Sequence, residues 1–163
     1  MNVYQDTLTT PIGELLIKAS DTGLTEVSLS KNIHELSPQS NDIIVEAQSQ
    51  LYEYFKGDRK EFDLPYDLNR YTDFYQSVWQ ALERVPFGST NSYGDIAREL
   101  GDIKAVRAVG MANGKNPIAI IIPCHRIIGS DGKLVGYAWG IDAKKWLLRH
   151  ELSHSPVPEH MLF

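Results

Sequence analysis

The chain has 163 residues, 42% of them apolar, enough for one domain with a sizeable core or for two small ones, and intrinsic disorder is not expected. No apolar run approaches the roughly 20 residues that span a bilayer, and the N-terminus is polar where a signal peptide would carry its apolar stretch, so no membrane association and a cytoplasmic protein are expected. The net charge of −5 is unevenly spread: residues 1–70 carry 6 Lys and Arg against 12 Asp and Glu, whereas residues 71–163 carry 10 against 9. The second half therefore has no broad basic patch, and any nucleic-acid binding there must rest on shape and a few placed contacts.

Residues 3–9, 14–19 and 24–29 are short alternating stretches separated by Pro11-Ile12-Gly13 and Asp21-Thr22-Gly23, the pattern of an antiparallel meander. Residues 42–56 place Ile43, Ile44, Ala47, Leu51, Tyr54 and Phe55 near helical spacing, with Gly57 suited to end the helix. Residues 58–71 lack a period and read as a connection. The expected organisation is an α/β domain over residues 1–70 and a mostly helical domain over residues 71–163.

The second half opens with a helix expected over residues 72–85, with Phe74, Val78, Leu82 and Val85 on its apolar face, broken by Pro86-Phe87-Gly88. Ser92-Tyr93-Gly94-Asp95 has the form of a capping box, and its helix should run to Leu100 before Gly101. A second helix is expected from Ile103 to Ala112, closing at Asn113-Gly114. Two short helices joined by a tight turn are the sequence form of a helix-turn-helix. The positions around Arg107, among them Ala105, Ala108 and Gly110, are mainly small, which suits either tight packing on a neighbouring helix or entry into a narrow groove.

Cys124 is the only cysteine, so an intramolecular disulfide and a cysteine-rich zinc site are both excluded. It follows a β-branched run, residues 118–122, expected as a short buried strand that Pro123 should end. That would place the thiol just past a strand end, facing a cleft, with His125 and Arg126 beside it. A thiol is nucleophilic as thiolate, and His125 is a candidate base; in an extended segment the two side chains point apart, so contact requires a bend or a bridging water. A base of this kind has its other nitrogen held by a carboxylate, and the candidates are Asp131, Asp142, Glu151 and Glu159. Glu151 stands out because it ends a helix expected to start near Asp142, where a carboxylate is electrostatically disfavoured.

Pro123-Cys124-His125-Arg126, followed by Gly136-Tyr137-Ala138-Trp139-Gly140 and by Trp146-Leu147-Leu148-Arg149-His150-Glu151, resembles the O6-alkylguanine-DNA alkyltransferases. The resemblance runs from about Phe74 to Glu151. It implies a ribonuclease H-like α/β N-terminal domain without a catalytic site and a helical C-terminal domain containing the helix-turn-helix. It further implies Cys124 as alkyl acceptor, His125 as base through a water, and Glu151 as the carboxylate orienting it. Arg107 would enter the minor groove of double-stranded DNA and fill the gap left by a flipped O6-alkylguanine. Tyr93 would assist flipping, and Asn116 would hold the turn between recognition helix and acceptor. Ala105, Ala108, Gly110 and Arg126 complete the expected DNA-contacting set, and Val135, Gly136, Tyr137, Ala138 and Trp139 the expected base pocket.

The resemblance implies a monomer that uses no cofactor. The N-terminal cysteine and histidine ligands of zinc-containing relatives are missing, so no metal is expected. Ala138 and Ala119 stand where some relatives carry Ser and Pro, and Trp139 is bulkier than the Gly of others, which should narrow the pocket. The rival readings are a non-transferring alkylated-DNA lesion-binding protein, against which Cys124 itself speaks, a Cys-His-Glu hydrolase, and a helix-turn-helix transcription factor.

Overall fold

The structure, a computed structural model, describes residues 2–30, 36–132, 134 and 136–156. The chain forms two compact units, Met1–Arg70 with Pro117–Ala119, and Tyr71–Asn116 with Ile120–Phe163.

In the first unit, β1 (Tyr4–Thr10), β2 (Gly13–Ala19) and β3 (Leu24–Leu29) form an antiparallel sheet in the order β1-β2-β3. The register runs from Thr10 opposite Gly13 to Tyr4 opposite Ala19, so Pro11 and Ile12 make the turn. The period of two works on β2: Leu15, Ile17 and Ala19 are buried, and the residues between them are half-buried. Helix α1 (Asp42–Phe55) starts where the Asn41 side chain accepts from the Ile44 amide at 3.0 Å. It packs Ile44, Ala47, Leu51 and Tyr54 against β1 and β2. Burying Ile44 and Leu51 contributes about 1.5–3 kcal/mol each.

The apolar run at 118–122 departs from the expected strand. Pro117–Ala119 runs beside β3, with the Val27 amide donating to the Pro117 carbonyl and the Ala119 amide donating to the Val27 carbonyl. Ile120 then takes a left-handed φ of 73°. A β-branched residue there costs about 1–3 kcal/mol, and complete burial of its side chain offsets that cost. A residue in that conformation cannot continue a ladder, so the run is buried without being one strand.

In the second unit, α2 (Asp73–Glu83) is capped by Thr72 and buries Val78, Trp79, Ala81 and Leu82; Phe74, expected on that face, is 37% exposed in the first turn. The capping box is present in both directions: the Asp95 amide donates to Ser92 Oγ at 3.0 Å and the Ser92 amide to Asp95 Oδ2 at 2.9 Å. It opens α3 (Tyr93–Glu99). The next helix differs at its start, because Asp102 caps a short 3-10 turn (Ile103–Ala105) before α4 (Val106–Gly114) begins. Trp79 anchors α4 by donating its indole N–H to the Ala112 carbonyl at 2.8 Å. A parallel pair, β4 (Asn91–Ser92) with β5 (Ile127–Ile128), ties the start of α3 to the segment after Cys124, and α5 (Ile141–Ser153) follows.

Candidate active site

Cys124, His125 and Arg126 form a single 3-10 turn entered from Pro123. The Cys124 amide donates to the Ile122 carbonyl, the Arg126 amide to Pro123, and the Ile127 amide to Cys124. The turn supplies the bend that an extended segment would lack. Asn116 holds the approach by donating Nδ2–H to the Ile122 carbonyl at 2.7 Å.

The turn faces inward. His125 is completely buried, and its Nε2 lies 2.6 Å from Glu151 Oε2. Arg126 is 5% exposed; its Nε donates to Glu151 Oε1 at 2.8 Å, its Nη2 to Oε2 at 3.1 Å and its Nη1 to the Val85 carbonyl at 2.7 Å. The Phe87 ring lies 5.8 Å from the guanidinium carbon. Gly88 completes the loop: it has φ 81°, and a Cβ there would come within 2.7 Å of Ser155 Oγ, so no side chain fits without movement. Arg126 was expected to touch DNA, and the structure corrects this, because its guanidinium is buried on Glu151 and Val85 and cannot reach a phosphate.

Burial pushes the Glu151 carboxyl up, but its interactions with His125 and with the Arg126 guanidinium outweigh it and hold the group well below the usual carboxylate range. Burial lowers His125; Glu151 pulls it back up, Arg126 and Lys144 push it down further, and the net direction is down, so the ring is neutral near pH 7. With Nε2–H donated to the carboxylate, Nδ1 carries the lone pair. That atom is buried and has no hydrogen-bond partner among the described residues.

Cys124 is 6% exposed, which corrects the expectation of an accessible thiol in a cleft. The turn and the buried residues 120–122 carry it inward. Burial raises its pKa, opposed by a hydrogen bond from Asn116, the charge of Lys144, its own backbone amide and the Tyr137 hydroxyl. The Tyr137 hydroxyl is itself buried beside the sulfur, with no well-formed hydrogen bond among the described residues. Tyr93 is half-buried and near enough for a Cys124 charge to raise its own pKa further after burial has done so. Its ring sits 3.8 Å from where a Cβ on Gly110 would lie, so Gly110 leaves room for Tyr93.

On α4 Arg107 and Ala108 are exposed and Gly110 is half-buried, as is Ala105 in the 3-10 turn before it. The expectation of mainly small exposed residues is too narrow, because Ile103, Val106 and Met111 are 51%, 37% and 62% exposed. In the loop before α5, Gly136 and Ala138 are exposed and Trp139 is half-buried, its ring edge against Tyr137 at 5.8 Å. Val135 and the candidate carboxylate Glu159 lie outside the described residues. Asp131 and Asp142 do not join the cluster around His125 in the described contacts; Glu151 does.

Lys144 was missed. It is completely buried and donates Nζ–H to the Ile127 carbonyl at 2.5 Å. In the sequence it reads as one of two adjacent surface lysines. The available signal is its spacing of seven from Glu151, two turns along one helix face.

Residues 3–68 match the ribonuclease-like domain of 6-O-methylguanine DNA methyltransferase, and residues 73–153 match the DNA binding domain of the same family. A methylated-DNA–protein-cysteine methyltransferase from Methanosarcina acetivorans is 43% identical over 154 residues, covering 91% of this chain and 98% of that protein. The crystal structure of Mycobacterium tuberculosis O6-methylguanine methyltransferase superimposes with a TM-score of 0.85 at 42% identity, covering 99% of this chain and all of that one. Mycobacterium tuberculosis OGT in complex with DNA gives 0.82 at 45% identity over 93% of this chain and 94% of that one. The chain belongs to the 6-O-methylguanine DNA methyltransferase family.

Proposed function

We propose that this protein repairs O6-alkylguanine in double-stranded DNA by moving the alkyl group irreversibly onto Cys124. The observation that carries the reading is the polar path behind the thiol, in which Glu151 fixes the Nε2–H of a neutral His125 and leaves Nδ1 buried as a lone-pair acceptor. His125 Nδ1 takes the thiol proton, through one water where it does not reach the sulfur directly. A sulfur lone pair then bonds the alkyl carbon as the carbon–O6 bond breaks, and its electron pair goes to guanine, which takes up a proton. The balance is thiol plus alkylguanine giving thioether plus guanine. No step calls for a metal or an organic cofactor.

Stacked guanine does not offer its O6 substituent to a buried sulfur, so the base must be turned out of the helix. In this reading α4 lies in the minor groove, Arg107 fills the vacated stack, and Ala105, Ala108 and Gly110 permit close approach. Tyr93 assists flipping, and backbone groups at Val135, Gly136, Tyr137 and Ala138 read the guanine edge. Trp139 narrows the pocket. A thioether has no hydrolytic exit, so each molecule acts once, as a monomer, in the cytoplasm where it meets DNA.

Intact mass after incubation with an O6-methylguanine duplex tests the reading. One methyl should appear on Cys124, and Cys124→Ser should gain none. Unchanged mass with tight binding would point instead to a lesion-binding protein.

A further inference from the structure

Lys144 and Glu151 stand seven positions apart on α5, so both face the Cys124–Arg126 turn from one side of the helix. Glu151 is accounted for by His125 and Arg126. Lys144 is not used by the chemistry above, yet a lysine with no solvent exposure is costly unless the fold gains from it. Its ammonium is fixed on the carbonyl of Ile127, whose amide is bonded to the carbonyl of Cys124, so two consecutive hydrogen bonds link the lysine to the acceptor residue.

We propose that Lys144 is a positioning residue of the acceptor site, whose buried ammonium favours the thiolate form of Cys124 and holds the exit of the turn that carries it. The inference rests on Cys124 being the alkyl acceptor.

The interaction is felt at both ends. The charge of Lys144 counters the rise that burial imposes on the thiol, and a Cys124 thiolate counters the fall that burial imposes on the lysine. Among the described residues, the other groups facing the sulfur are Asn116, Tyr137 from the loop before α5, Tyr93 from α3, and His125, which is neutral until it takes the thiol proton. None of them carries a positive charge. The cation of Arg126 is spent on Glu151. Among the described residues, Lys144 is thus the cation coupled to the sulfur before His125 takes the proton, and coupling between two titrating groups is reciprocal.

The test is the pH profile of Cys124 reaction with iodoacetamide in the full-length protein, read at the single cysteine without DNA. In Lys144→Met the midpoint should rise by about one pH unit, a roughly tenfold loss of thiolate below it, while the limiting rate at high pH stays within about twofold of the parent. Lys144→Arg, which keeps the charge, should stay near the parent midpoint. An unchanged midpoint in Lys144→Met, or an equal rise in both variants, would overturn the proposal and leave only a structural hydrogen bond. If Lys144→Met does not fold, the unsubstituted protein gives the answer by NMR of labelled lysine. The Lys144 midpoint should drop when Cys124 is converted to the methyl thioether with methyl iodide, and an identical midpoint would overturn the proposal. Both readouts are independent of alkyl transfer from DNA, so failure of the repair reading would appear separately, in the mass experiment.

Discussion

Two arginines of the second unit, Arg107 on α4 and Arg126 in the turn after Cys124, have opposite surroundings. Arg107 is exposed beside Ala108, with the half-buried Ala105 and Gly110 nearby, and a guanidinium held in water is ready to meet a phosphate or a base. Arg126 is 5% exposed and forks onto Glu151. A bidentate pair of that kind fixes geometry as well as charge. Their residue type is the same, and burial alone separates them: one guanidinium faces water, and the other holds the carboxylate behind His125.

Breaking the buried partner should have the largest effect. Glu151→Leu leaves Arg126 buried without its carboxylate, and about 3–5 kcal/mol of stability should be lost in urea unfolding, together with alkyl transfer. Arg126→Met should cost a comparable amount, whereas Arg107→Ala should change stability by less than about 0.5 kcal/mol. Arg107→Ala should instead slow transfer from duplex DNA roughly tenfold or more, about 1.4 kcal/mol in the barrier. Stability losses of equal size in the two arginine variants would erase the contrast.

A smaller effect should appear with pH. His125 is lowered in the folded protein, so the stability gained by keeping it neutral is present above its unfolded value of about 6.5 and is lost as pH falls from there toward the folded value. Urea midpoints should therefore decline below about pH 6.5, and His125→Asn should flatten that part of the profile. A profile with the same slope in both proteins would place the acid sensitivity elsewhere.

The smallest effect concerns the loop before α5. With Trp139 packed edge-on to Tyr137, methyl should transfer faster than benzyl on matched oligonucleotides, and Trp139→Gly should bring the two rates together. Equal rates in the unsubstituted protein would contradict the narrowed pocket.

Local chemistry made some elements legible in the sequence. The Ser92 and Asp95 side chains sit three residues apart and cap α3 reciprocally, and the apolar spacing after Asn41 specifies α1. Residues 118–122 were misread because β-branched burial suits a strand, while the left-handed turn at Ile120 depends on where the chain must go afterwards. The inward turn at Cys124 was likewise hidden, since Pro123 signals a break but not its direction. The position of Glu151 at a helix end marks an unusual carboxylate. Its second partner, Arg126, and the buried Lys144 look like surface cations in the sequence, and only packing against Val85 and Ile127 reveals their surroundings.

The central claim is a single, irreversible transfer to Cys124, and it is tested most directly by counting demethylated guanine released with time from excess O6-methylguanine duplex. The count should rise and stop at about one guanine per protein molecule, with the missing methyl recovered as S-methylcysteine at position 124. Continued turnover past that point, or a plateau with Cys124 still a free thiol, would contradict the account.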